Sequence, residues 1–288
     1  MSEKISYKNR IGAHVSVAGG IDKAPARAAA QGGETFQCFT RPPQGGPAPK
    51  ITKETILNLH REMDKYGIET FHIHTPYVLN FASLKPKIRE ASIQIVRKEL
   101  ERGSLLGAKF VMTHIGSYTN QTLEEGIKKV IDAIKRILFN YQGSTQFLIE
   151  ISAGAGNVIG DTFEEIGEIV RAVKSLPGFG GICFDTCHAF ASGYDYRTPA
   201  GAAAMLQQFD QTIGLEFLKL THVNDSKVDL GMKRDRHEHI GQGFIGRDGL
   251  TSLLQTPEFM KIDWLLETED DLREKDVKIL KGIRAKKS

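Results

Sequence analysis

The segment "FDTCHAF", residues 184–190, sets a carboxylate (Asp185) and an imidazole (His188) three residues apart, directly after the apolar run Gly-Ile-Cys-Phe. Alone, the pair has an ordinary explanation: Asp caps the turn that follows, and the histidine is a half-buried ring with its bonds satisfied. Other apolar runs end in the same way. Their last residues, in chain order, are His14, Thr40, His74, His114, Glu150, Asp185, His222 and Glu267. Seven of these eight side chains can bind a metal, and four of the chain's nine histidines are among them. Taking so many polar groups out of water without partners costs on the order of a few kcal/mol each, and a metal cluster satisfies them together. Imidazole and carboxylate without thiolate suit zinc or manganese, in a catalytic site with open positions rather than a closed structural one. In "RDRHEH", residues 234–239, Asp235 and His237 alternate, so an extended backbone turns both the same way and Arg236 the other way. With His188 they form a third candidate set. By itself the segment reads as a solvated charged turn.

Elements must bring those ends together. Compact runs rich in apolar and β-branched residues predict strands near 10–16, 35–40, 70–75, 108–115, 145–152, 181–187, 218–224 and 262–268. Their nearly continuous apolar character is that of parallel strands buried on both faces. Helical patterns lie between them. In 122–140, Ile127, Val130, Ile131, Ile134 and Leu138 repeat at helical spacing, and Thr122 with Glu125 and Thr162 with Glu165 fit the capping-box pattern. Strands alternating with helices throughout predict one α/β domain over 1–288, a (β/α)8 TIM barrel whose C-terminal mouth carries the cluster. A doubly wound open sheet is the structural rival. It needs a phosphate-binding glycine loop after the first strand, and "AHVSVAGG" is not G-x-G-x-x-G.

Bulk properties agree with a soluble globular chain. It has 288 residues, 40% hydrophobic and 25% charged, with no apolar run long enough for a membrane helix. The polar start "MSEKISYKNR" lacks the apolar core of a signal peptide. Cys38, Cys183 and Cys187 are too few for a disulfide framework, so a reducing cytoplasm is expected, nucleoid-associated in a prokaryote. Cys183 and Cys187 flank Asp185 and read as packing residues. A net charge of +3 admits a polyanionic partner without demanding one, and "KGIRAKKS" is the single basic run.

At this point the residues resemble a family. The segments "IGAHVSVAGG", "HTPYVLNFAS", "THIGS", "IEISAGAG", "FDTCHAFASGYDYRTP", "THVNDSK", "DRHEHIGQGFIG" and "LLETE", in this order along nearly the whole chain, resemble endonuclease IV, the zinc-dependent apurinic/apyrimidinic endonuclease family. The resemblance implies a (β/α)8 barrel with three Zn2+, some Mn2+ being admissible. By position, His74, His114 and Glu150 would hold the first ion. Glu150, Asp185, His222 and Glu267 would hold the second, and His188, Asp235 and His237 the third. Glu150 would bridge the first two, and Glu150 and Glu267 carry the catalytic assignment. The implied reaction is incision of duplex DNA 5′ to an abasic site by a monomer, leaving a 3′ hydroxyl and a 5′ deoxyribose phosphate. Paired metals activate water, so no serine or cysteine nucleophile is required.

Tyr77 and Asn80 match the family's DNA-facing loop, and Lys227 and Arg236 are phosphate contacts by charge and position. Two departures stand out. In "FTRPPQGGPAPK", residues 39–50, relatives typically carry Asn, Arg and Trp that enter the base stack; here Arg41, Gln44 and Lys50 are the polar candidates. Ile151 stands where relatives have Asn, which puts at risk a hydrogen bond behind the metal ligands. The rival readings are a sugar isomerase holding divalent ions in a similar barrel and an inactive DNA-binding relative. The third ligand set and the complete donor roster favour the nuclease.

Overall fold

The computed structural model describes residues 9–286, so the start of "MSEKISYKNR" and the last two residues of the basic tail lie outside the described residues. Within them, ten strands occur in chain order: β1 Ile11–His14, β2 Thr35–Cys38, β3 Phe71–His74, β4 Phe110–Thr113, β5 Gln146–Glu150, β6 Phe179–Asp185, β7 Leu218–His222, β8 Asp225–Ser226, β9 His237–Glu238 and β10 Asp263–Leu266. Eight of them close a barrel in the order β1-β10-β7-β6-β5-β4-β3-β2, every pairing parallel. This is the predicted (β/α)8 barrel. The remaining two, β8 and β9, form an antiparallel pair outside the eight predicted strands, and it brings His237 to within 3.7 Å of Asp185.

Side chains of a strand alternate between its two faces, and this produces two apolar layers. Phe110 and Met112 point inward with Leu148, Cys183, Leu220 and Leu265, filling the barrel beneath its mouth. Their neighbours Val111, Ile149, Phe184 and Trp264 point outward into the layer shared with the helices. Both faces are therefore dry, which is why the strands read as continuous apolar runs. Gly12 sets the spacing of β1 and β2, because a Cβ there would run into the Thr35 carbonyl. That close approach also places His14 beside Gln37 in register.

The helix predicted at 122–140 spans Leu123–Leu138, with the box reciprocated: Glu125 N–H donates to Thr122 Oγ1 at 3.2 Å and Thr122 N–H to Glu125 Oε2 at 2.9 Å. At Thr162 only half the box forms. Its hydroxyl accepts from Glu165 N–H, but the Glu165 carboxylate accepts from Gly160 N–H at 2.7 Å instead. The sixth strand starts earlier than expected and stops at Asp185, because Asp185 caps a short helix, Thr186–Ser192. Cys187 therefore sits on that helix, not on the strand. No helix among the described residues is long and apolar enough to cross a membrane.

Candidate metal centre

Glu150 ends β5 at the centre of the mouth and is fully buried. Its Oε2 lies 2.8 Å from His74 Nε2 and 3.6 Å from His114 Nε2, while Oε1 lies 2.9 Å from His222 Nδ1. One carboxylate thus faces two ligand sets. On one side stand His74 and His114; on the other, Asp185, His222 and Glu267. Within each set the ligand atoms lie within 4.8 Å of one another. Burial alone would push the Glu150 carboxyl up. The adjacent His114 and His222, with hydrogen bonds from His222 and His74, overcome this and hold it well below the usual range. Burial acts on Glu267 in the same upward sense, and His222 beside it outweighs that and holds it at about 2.

The third set gathers around Asp235. Its Oδ1 lies 3.2 Å from both His188 Nε2 and His237 Nε2. The β8–β9 pair carries His237 to this point, and His188 comes from the helix that Asp185 caps. Asp185 also approaches His237 Nε2, at 3.7 Å. The Cys187 thiol reaches the same neighbourhood, within 4.8 Å of ligand atoms of Asp235 and His237, so its place is beside the third set and not in packing alone.

Whether cations fit is decided by what the site lacks. His188 Nε2 and His237 Nε2 are buried without a hydrogen-bond partner. The Asp235 carboxylate 3.2 Å from each is near enough for charge attraction but makes no hydrogen bond; buried nitrogens left so are rare in a folded interior, and a bound cation would satisfy them and the carboxylate together. The opposite ring atoms are anchored. His74 Nδ1–H donates to the Thr75 carbonyl at 2.6 Å and His188 Nδ1–H to the Ile151 carbonyl at 2.9 Å, which turns both Nε2 atoms toward the centre. The Ile151 departure therefore leaves the orienting bond on His188 in place, because the main chain supplies it.

Two residues that the sequence does not single out complete the surround. Asn224 donates to Asp185 Oδ2 at 2.8 Å and accepts from Glu267 N–H at 2.9 Å. Gln37 contacts His14, His222 and Glu267. The available signal was one amide in an otherwise apolar run, "TFQCF". His14, at the end of β1, joins none of the ligand sets found. It packs 4.4 Å from the Phe39 ring, and burial lowers its pKa to about 3.

The residues expected to face DNA divide. Tyr77 is 57% exposed on the loop after β3. Lys227 and Arg236 are on the β8–β9 loop, with Lys227 Nζ 3.6 Å from Glu269 and the exposed Arg236 guanidinium donating to the Asp235 carbonyl. Arg41 and Asn80 are tied into the protein itself. Arg41 is buried, its Nε–H donating to the fully buried Glu99 at 2.7 Å, so it anchors the base of the 41–50 loop. Asn80 spends its amide on Ser117 and its oxygen on the main-chain N–H groups of Ala82 and Ser117, so it shapes its own loop. Beside the centre, between residues 15–18 and the 41–50 loop, a cavity of about 530 Å³ is walled by Val15, Phe39, Pro42, Pro43 and Arg273.

Comparison with known proteins agrees with this geometry. A family model described as a xylose isomerase-like TIM barrel matches residues 25–285. A probable endonuclease 4 of Halothermothrix orenii is 36% identical over 276 residues, 96% of this chain and 99% of its own. One from Methanoculleus marisnigri is 38% identical over 275 residues, 95% and 97% of the two chains. The crystal structure of endonuclease IV from Thermus thermophilus superposes with a TM-score of 0.81 at 30% identity, covering 96% of this chain and 98% of that one. With relatives this similar over nearly their full length, the chain belongs to the endonuclease IV family of metal-dependent AP endonucleases.

Proposed function

We propose that the protein hydrolyses the phosphodiester bond 5′ to an abasic site in duplex DNA, leaving a 3′ hydroxyl and a 5′ deoxyribose phosphate. The observation that carries this reading is Glu150, whose two oxygens face two separate sets of ligands. His74, His114 and Glu150 would hold one zinc ion, Glu150, Asp185, His222 and Glu267 a second, and His188, Asp235 and His237 a third, with manganese an admissible substitute. When bound, such ions supply Lewis acidity toward phosphate oxygens and an activated water near neutral pH. The chain supplies the rest. Glu150 and Glu267 fix negative charge at the buried centre, and the anchored rings of His74 and His188 would offer their Nε2 atoms to a cation, on losing a proton, without turning. Lys227 and Arg236 would meet phosphates on the rim, and Tyr77 the lesion.

The third set around Asp235 favours phosphodiester chemistry over a sugar isomerase, which uses one pair of divalent ions. Buried unpartnered nitrogens at His188 and His237 argue against an inactive DNA-binding relative, because a binder has no use for an open metal site. A monomer acting in the cytoplasm accords with this reading. The test is incision of a duplex bearing one abasic analogue, with and without chelator. Cleavage 5′ to the lesion that chelator abolishes and zinc restores is expected; chelator-resistant cleavage, or none in metal-loaded protein, overturns the proposal.

A further inference from the structure

Gln37 lies inside the barrel on β2, fully buried, one layer beneath the metal centre. Its amide nitrogen is 2.6 Å from Glu267 Oε1 and 3.0 Å from His14 Nδ1, and its oxygen is 2.8 Å from His222 Nε2. A glutamine amide has two N–H donors and an oxygen that accepts, and here both N–H groups and the oxygen are engaged. The orientation is forced by the partners. A carboxylate only accepts, so the amide nitrogen belongs against Glu267. The reversed amide would put its oxygen against Glu267 and its N–H groups against His222, with repulsion at the first contact.

Fixing the amide fixes the imidazoles. Gln37 Oε1 accepts, so His222 must carry a hydrogen on Nε2. Its Nδ1, which donates to Glu150 at 2.9 Å in the absence of metal, is then the nitrogen left to give up its hydrogen to a cation, with Glu267 at 3.4 Å and Asp185 at 3.8 Å. Gln37 Nε2 donates, so His14 Nδ1 is an acceptor and His14 carries its hydrogen on Nε2. We propose that Gln37 is a positioning residue of the metal centre, holding His222 in the tautomer that presents Nδ1 and locking the Glu267 carboxylate beside it. The inference rests on the metal-centre reading above and extends it to a residue outside the ligand sets. Partners of this kind orient metal ligands, and their loss typically weakens metal binding about 10–100-fold.

The third ligand set is an internal control, because His188 and His237 make no contact with Gln37. Metal-loaded wild type and Gln37→Met are dialysed against a graded chelator series, and the retained zinc is counted by elemental analysis. Methionine keeps the length of the side chain and removes all three polar contacts. The variant should lose one ion per chain at a free zinc concentration about 10–100-fold higher than wild type does, while the remaining ions leave at the wild-type concentration. Identical curves, or loss of all ions in parallel, overturn the proposal, the second because it marks general structural damage. If the variant fails to fold, nitrogen-15 NMR of zinc-loaded wild type decides. His222 should show a protonated Nε2 and a metal-shifted Nδ1, and the opposite assignment overturns the proposal. Wild type that holds no zinc removes the metal-centre reading itself, an outcome distinct from failure of the Gln37 role alone.

Discussion

Asp185 Oδ1 accepts the main-chain N–H of His188 at 2.8 Å, so a candidate ligand of one metal set is the N-cap of the helix that delivers a ligand of another. The three-residue spacing met at the outset is capping geometry, and it couples the two sets mechanically. Asn caps as well as Asp but is a poorer cation ligand. Asp185→Asn should therefore keep the melting temperature of the metal-free protein within a few degrees while losing zinc. Asp185→Ala should lose zinc and also about 1 kcal/mol of stability from the missing cap. Calorimetry of chelated protein beside zinc counts checks both, and equal melting of the two variants refutes the capping role.

Glu150→Gln should reduce incision to background and release two ions, because one substitution weakens both sets that share the carboxylate. His237→Ala should release one ion and leave the barrel folded, since its ring is on the β8–β9 pair outside the apolar layers. Elemental analysis and circular dichroism separate the cases. A Glu150→Gln protein that keeps both ions would contradict the shared-carboxylate reading.

Protonation gives a third test. In the metal-free protein, burial opposes charge on His188, but Asp185 and Asp235 overcome it and raise its pKa well above the ordinary value; burial opposes charge on His74 as well, and the bond to Glu150 raises it. The raised folded-state values mean that these ion pairs contribute stability fully below about pH 6.5, and that it is lost as pH rises through the raised values. Zinc needs the same nitrogens unprotonated, so binding expels protons and weakens on acidification. Calorimetric titration at about pH 7 in two buffers of different ionisation enthalpy should show net proton release. The stabilisation conferred by zinc should grow from about pH 6 to about pH 8. Proton uptake would reverse the assignment.

The barrel was legible because burial on both strand faces leaves long apolar runs, and the mouth was legible because those runs stop at His, Asp or Glu. What escaped had no such contrast. Gln37 and Asn224 act through contacts between strands far apart in sequence, and the β8–β9 pair is only two residues deep, too short for any periodicity. The inward contact of Arg41 is hidden in the sequence for a related reason. An arginine in a polar loop looks like a phosphate contact, and only the fold brings Glu99, 58 residues further along the chain, fully buried beneath it.

The distinction between Arg41 and Arg236 is measurable. Each phosphate neutralised by a protein cation contributes about −0.9 to the slope of log affinity against log salt for duplex DNA. Arg236 is exposed on the rim, and among the described residues its guanidinium is held by the Asp235 carbonyl alone, so Arg236→Ala should flatten the slope by about one contact. Arg41 faces inward. Arg41→Met should leave the slope unchanged and instead destabilise the fold by about 1–3 kcal/mol, because it removes a donor from the buried Glu99 carboxylate. Arg102, at 3.6 Å from Glu99, offsets part of that loss. Lesion affinity should fall modestly in Arg41→Met, through loosening of the 41–50 loop that Arg102 also ties at the Thr40 and Pro49 carbonyls. Salt titrations of binding to abasic duplex, with chemical denaturation of each variant, read the two effects separately. A flattened slope in Arg41→Met with unchanged stability would return Arg41 to the DNA interface and show that the loop opens when DNA binds.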